Sequence, residues 1–215
     1  MRRQLALGMV LGAFLLLVLD AVVTRSGLGP GAVPKLTGSS LWITSRAAGV
    51  TAFLALSLDV ALGLFISTGV ADRAIPRARI VEAHRFLSAV TLALTALHAG
   101  ALLGDRFVRF DVLDVLVPFV SRYRPLSVGL GLLAAYLAIV IHQSFAWRRR
   151  LGAKLWRSLH YASFAAYAAA LLHGVFAGTD ARALFGVYLA SGSLIASLVL
   201  YRVAIARRHP ASARG

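Results

Sequence analysis

The 215-residue chain contains no cysteine. That excludes a disulfide scaffold, thiol catalysis, iron–sulfur ligation and cysteine-type zinc sites. Charge is scarce as well. Only 14% of residues are charged, where a soluble domain carries about 25%. Acidic residues number eight against 23 basic ones, and just two of the basic residues are lysine. With so much Ala, Gly and Leu, the arginine excess fits the codon bias of a GC-rich genome. No stretch alternates apolar and polar residues as a strand would, which argues against a β-barrel. No glycine-rich turn joins a strand to a helix. Gly27, Gly29 and Gly31 lie in a connection with Pro30 and Pro34, so they form no dinucleotide fingerprint.

What fills the chain is apolar. Hydrophobic residues make up 59% and the mean hydropathy is +0.79, which excludes both an ordinary soluble globule and a disordered chain. A bilayer needs about 20 residues of helix. Six stretches are long enough, at about 4–23, 41–68, 80–103, 126–147, 155–177 and 184–206. The pattern predicts an all-α, polytopic membrane protein built as a six-helix bundle. The first stretch follows Met1-Arg2-Arg3, but its run is long and Asp20-Ala21-Val22-Val23 is a poor cleavage site. An uncleaved first helix is therefore expected.

The net charge of +15 points to a membrane surface and not to nucleic acid, because the basic residues sit mostly between apolar runs. With the N-terminus inside, 15 of the 23 basic residues fall on the cytoplasmic side, including Arg148-Arg149-Arg150. Five of the eight acids fall outside. Both termini are thus expected in the cytoplasm, and the chain is expected to be a multi-pass protein of a bacterial plasma membrane. Three parts follow: residues 1–39 as a first helix and outer loop, 40–207 as the main bundle, and 208–215 as a short tail. Residues 111–120 are too short to span and are expected to lie on the outer surface as an amphipathic turn of helix.

Six histidines are present: His84, His98, His142, His160, His173 and His209. Polar groups inside a membrane helix are costly and mark function by default. Four of the six form two matched pairs. His84 and His98 are 14 residues apart on the third helix, and His160 and His173 are 13 apart on the fifth. Those spacings correspond to about 21 Å and about 20 Å along the helix axes. One metal ion cannot join sites so distant. If the two helices lie side by side, His84 faces His160 and His98 faces His173. Two such gaps suit two bis-histidine haems stacked through the membrane, since imidazole is a normal axial ligand of haem iron. One difficulty stands: 14 residues turn an ideal helix by about −40°, but 13 turn it by about −140°. His160 and His173 should diverge unless the fifth helix is overwound or bent, or the rings swing. His142, beside Gln143, has no partner at matching depth and reads as an interfacial residue. His209 belongs to the solvated tail.

Over roughly residues 40–206 the chain resembles the ferric reductase-like transmembrane domain. That superfamily includes the membrane halves of NADPH oxidases and ferric reductases and the haem subunit of the bacterial methionine-sulfoxide reductase system. The resemblance rests on Ser45-Arg46-Ala47-Ala48-Gly49, His84-Arg85, His98, Arg122-Tyr123-Arg124-Pro125-Leu126, and Trp156 through His160 followed by His173. The 14 and 13 spacings equal those of the NADPH-oxidase haem ligands. The resemblance implies two haem b groups, an inner one on His84 and His160 and an outer one on His98 and His173. It implies electrons moving from the cytoplasmic side outward. The chain departs from the family in having no fused flavin domain and no EF-hand. The expected donor is therefore a separate flavoprotein carrying FAD or FMN, or a membrane quinol. A ferric ion, oxygen or an extracytoplasmic redox partner is the expected acceptor.

Haem propionates are anionic and pair with arginine. Arg85 and Arg157 adjoin the inner histidines, although anchoring at the positive side explains them equally well. Arg46 sits on the outer leaflet, where that explanation fails. It is the candidate to hold a propionate or to polarise an acceptor. Asp59, deep in the second helix, reads as a proton-relay group or as an acid bonded to a neighbouring helix. The rival readings are a non-catalytic haem anchor that feeds a partner enzyme, a haem-free proton-coupled transporter, and a purely structural membrane subunit.

Overall fold

The computed structural model describes residues 38–105 and 108–208. The expected first span at 4–23 and the tail beyond 208, His209 included, lie outside the described residues. The described residues are helical, with no strand among them. Helix α1 is Gly38–Thr68, α2 is Arg77–Leu103, α3 is Val112–Leu116, α4 is Pro125–Ala177 and α5 is Phe185–Arg208. Four of these are long and apolar enough to cross a membrane, so the protein is a multi-pass membrane protein.

Local chemistry sets the ends. α1 stops at Gly69, whose φ of +66° is open to glycine without steric cost. Its N–H closes the last turn on the Phe65 carbonyl at 2.9 Å. α2 opens directly after Pro76, which cannot sit inside a helix without losing a hydrogen bond. The short α3 falls within the 111–120 segment expected to form a turn of helix. The Asp111 N–H donates to Asp114 Oδ2 at 2.9 Å, and this bond fastens its first turn. Leu113 and Leu116 are exposed. Pro125 begins α4 with its φ already helical.

The fourth and fifth expected spans are one continuous element. α4 runs for 53 residues with a single non-helical residue, Gly152, at φ 75° and ψ 158°. That region is essentially glycine-only. The polar run Arg148–Lys154 holds good helix formers and no proline, so the chain stays helical up to and beyond the break. The two arms fold back on each other. Tyr123 donates its hydroxyl to the Ala177 carbonyl at 3.4 Å, and Arg124 donates to the carbonyl of Phe176. Each arm exceeds the length that a bilayer needs. Replacing Gly152 with alanine should destabilise the protein by about 1–3 kcal/mol. A thermal melt of the purified protein in detergent should show the lowered midpoint.

α1 is the most enclosed helix, and it packs along α2 in antiparallel fashion. Phe53, Val60, Ala61 and Leu64 of α1 join Tyr167 of α4 and Tyr188 and Ile195 of α5 in the core. Large apolar side chains such as Leu126, Leu189 and Leu200 face outward. In a bilayer they meet lipid, and interhelical packing with internal hydrogen bonds holds the bundle. One such chain runs from Tyr167 to Ser191 Oγ at 2.6 Å and on to Ser57 Oγ at 2.9 Å.

Candidate functional site

The four histidines meet as two pairs. The rings of His84 and His160 lie 6.0 Å apart, centre to centre, and those of His98 and His173 lie 6.1 Å apart. The interplanar angles are 73° and 75°. A metal bound end-on between two imidazoles sits about 2 Å from each nitrogen, which puts the ring centres about 6 Å apart. The divergence expected from the 13-residue spacing is absorbed without a break, because α4 has no non-helical residue between His160 and His173.

Three of the rings are held in the same way. His98 Nδ1 meets the Ser45 carbonyl at 2.7 Å, His84 Nδ1 meets the Asp59 carbonyl at 3.0 Å, and His173 Nδ1 meets the Ser127 carbonyl at 2.8 Å. A carbonyl only accepts, so each Nδ1 carries the hydrogen and each Nε2 keeps its lone pair. That is the tautomer a metal ligand needs, with its orientation fixed from behind. Four residues after each carbonyl stands a glycine: Gly49, Gly63 and Gly131. A Cβ would come within 2.8 Å of the His98 ring at Gly49 and within 2.6 Å of the His173 ring at Gly131. At Gly63 it would stand 3.4 Å from His84. The bare backbone lets each imidazole approach the neighbouring helix.

His160 differs. Its Nδ1 is buried without a hydrogen-bond partner, and its ring stacks on Trp156 at 5.1 Å. Counting symmetrically about Gly152, position 144 stands to His160 as Gly131 stands to His173. Position 144 is a serine, fully buried, with its hydroxyl donating to the Ile141 carbonyl at 2.7 Å.

Each pair opens on a cavity. The His84–His160 pair borders one of about 690 Å³, lined also by Asp59, Arg85, His142, Trp156, Arg157 and Arg202. The His98–His173 pair borders a smaller one of about 220 Å³, with Trp42, Arg46, Tyr123 and Asp180 at its edge. Cofactor sites commonly enclose about 300–1,000 Å³; the first cavity falls within that range and the second just below it. Among the described residues no group of three or more His, Cys, Asp or Glu could hold a bare metal ion. Two facing imidazoles match a metal whose other ligands come from a macrocycle.

The chain matches no family model, no curated protein and no solved structure.

The remaining candidates fall at the edges of these cavities. Arg46 forms an ion pair with Asp180 and lies 5.9 Å from the Trp42 ring centre. The guanidinium therefore reaches the cavity edge with an acid already beside it. Arg85 sits over the Phe145 ring at 4.8 Å, and both it and Arg157 border the larger cavity. Four residues gain partners that their types alone did not indicate. His142, expected to be unpartnered, meets Ser88 Oγ at 2.9 Å. Asp59 reaches His84 on the neighbouring helix, with Oδ1 at 2.8 Å from Nδ1. Arg202 donates to the Tyr161 hydroxyl at 2.8 Å and brings a third guanidinium to the larger cavity. Trp156 supplies the stacking surface for His160. One signal in the sequence pointed toward the contacts of the His84 and His98 rings with α1. Gly49 and Gly63 repeat the 14-residue interval of His84 and His98, as antiparallel helices in register require.

Proposed function

We propose that the chain is a di-haem b-type membrane cytochrome, the electron-carrying membrane component of a ferric reductase-like oxidoreductase. The observation that carries this reading is the pair of imidazole gaps. Both have the width that a six-coordinate iron needs, and they stand about 21 Å apart on α2. In this reading the chain crosses the membrane six times with both termini in the cytoplasm, and the Arg148–Lys154 turn lies inside. The inner site is then His84 with His160, and the outer site is His98 with His173.

Bound haem supplies one-electron redox chemistry that no side chain of this protein provides. The protein's part is to hold and tune it. Backbone carbonyls of residues 45, 59 and 127 hold three imidazoles by Nδ1 and leave Nε2 as the atom that would bind iron. Arg85, Arg157 and Arg202 place positive charge at the inner cavity, where anionic carboxylates of the cofactor find partners. Apolar side chains from α1, α2 and α4 form much of the cavity walls and lower the polarity around the cofactor. Arg46, steadied by Asp180, presents a cation at the outer edge for a propionate or an acceptor. Electrons enter from a cytoplasmic flavoprotein or a quinol and leave to an extracytoplasmic acceptor. The engagement of Arg46 by Asp180 favours a second version of the same reading, in which the protein delivers electrons to a partner enzyme and not to a substrate of its own.

The decisive experiment is a haem count. Protein purified in detergent after expression with ample haem should show two b-haems per chain by pyridine haemochrome. Its dithionite-reduced spectrum should be that of low-spin, six-coordinate iron. A preparation without haem would overturn the reading and leave a transporter or a structural subunit.

A further inference from the structure

Asp59 stands apart from the residues that hold the other imidazoles. The device of a carbonyl followed four residues later by glycine occurs at Ser45, Asp59 and Ser127. Two of the three residues are serine, and only the third carries a carboxylate. Asp59 is 8% exposed. Its Oδ1 lies 2.8 Å from His84 Nδ1, alongside the 3.0 Å contact of its own carbonyl. At the corresponding outer position, the Ser45 hydroxyl also lies 3.0 Å from His98 Nδ1 and donates to the His98 carbonyl at 3.0 Å, but it brings no charge. Among the described residues Asp59 forms no ion pair with lysine or arginine. Its negative charge is directed at the imidazole.

We propose that Asp59 is a positioning residue that holds the reduction potential of the inner haem below that of the outer one, and so gives electron flow its outward direction. The proposal rests on the di-haem reading above. A carboxylate 2.8 Å from Nδ1, beside the backbone carbonyl that accepts its hydrogen, makes the imidazole a more basic, more electron-donating ligand. Reduction adds one electron to ferric iron and makes or breaks no bond. A richer ligand and a nearby negative charge both favour the oxidised, more positive iron over the reduced one. The outer imidazoles lean on neutral carbonyls, so their iron is the better electron acceptor. An electron supplied by the flavin or quinol donor then moves downhill from the His84–His160 site to the His98–His173 site. The guanidinium groups of Arg85, Arg157 and Arg202 border the same cavity but make no ion pair with Asp59.

The test is redox potentiometry on the purified full chain, read by visible and electron paramagnetic resonance spectra. Three variants are compared with the parent: Asp59→Asn, Asp59→Ser, which reproduces the chemistry of the outer position, and the reciprocal Ser45→Asp. A His98→Ala background isolates the inner haem and assigns its signal. With both haems retained, the Asp59 variants should shift the inner haem at least tenfold toward the reduced form at equilibrium. For one electron that is about 59 mV upward. The outer haem should stay where it was. Ser45→Asp should move the outer haem downward by a similar factor. Two haems retained with less than a threefold change at the inner site would overturn the proposal. If the Asp59 variants lose the inner haem, Ser45→Asp decides: no downward shift of the outer haem overturns it. A parent protein that binds no haem removes the di-haem reading and this inference together. That outcome is read before any variant is made, so the two failures are distinguishable.

Discussion

Replacing His98 or His173 with alanine is expected to halve the low-spin haem signal, from two per chain to one, and to stop electron transfer to outside acceptors. The two rings stand 6.1 Å apart, so neither one alone completes an axial pair. His98→Ala leaves His173 facing an open space, and an iron with one protein ligand is high-spin or is lost. His84→Ala and His160→Ala should do the same at the inner site and block entry of electrons. His142→Ala is the control. That ring meets Ser88 and not a second imidazole, so both low-spin haems should survive its removal. Retention of two full low-spin haems after His98→Ala would sink the ligand assignment.

The second large effect comes from residues with no chemistry of their own. A methyl group at Gly131 would lie 2.6 Å from the His173 ring, and one at Gly49 would lie 2.8 Å from the His98 ring. Real Cβ atoms do not approach so closely, and a close-packed interior gives little room to move aside. Each ring is also held by a hydrogen bond to the carbonyl four residues earlier, so a displaced ring loses that bond as well as its aim. Gly131→Ala and Gly49→Ala should lower occupancy of the outer haem, and Gly131→Leu should abolish it. Gly63→Ala brings a methyl group only to 3.4 Å from His84, which is close to ordinary contact, and should leave the inner haem bound. The haem count of the three alanine variants checks the ranking. Equal loss at all three positions would show that general packing, and not ring clearance, is what the glycines provide.

Much of this was legible because membranes simplify a sequence. A bilayer demands long apolar helices, so the spans at 41–68 and 80–103 could be read almost to their ends. The short helix within 111–120 was visible as an amphipathic segment too short to span. The matched intervals of His84, His98, His160 and His173 indicated which rings face each other. The joining of 126–147 and 155–177 into one broken helix was not legible. Composition marks Arg148–Lys154 as polar, but it does not say whether a polar segment loops or stays helical. One glycine with a φ open to it decided that. Nor did residue types reveal the partners of Asp59, His142 and Arg202. Each lies on a different helix from its partner, and the choice depends on how far each helix is rotated and shifted against the next.

The sequence by itself determined the solvent, the class and the histidine spacing. Hydropathy fixes what must avoid water, and a helical rise fixes how far apart two histidines on one helix must stand. Only the tertiary structure decided what stands behind each ring. Hydrogen-bond partners across helices follow from register, and register is set by where side chains are absent. Glycines at 49, 63 and 131 admit three imidazoles to backbone carbonyls, a serine occupies the fourth position at 144, and packing places the one carboxylate, Asp59, against His84.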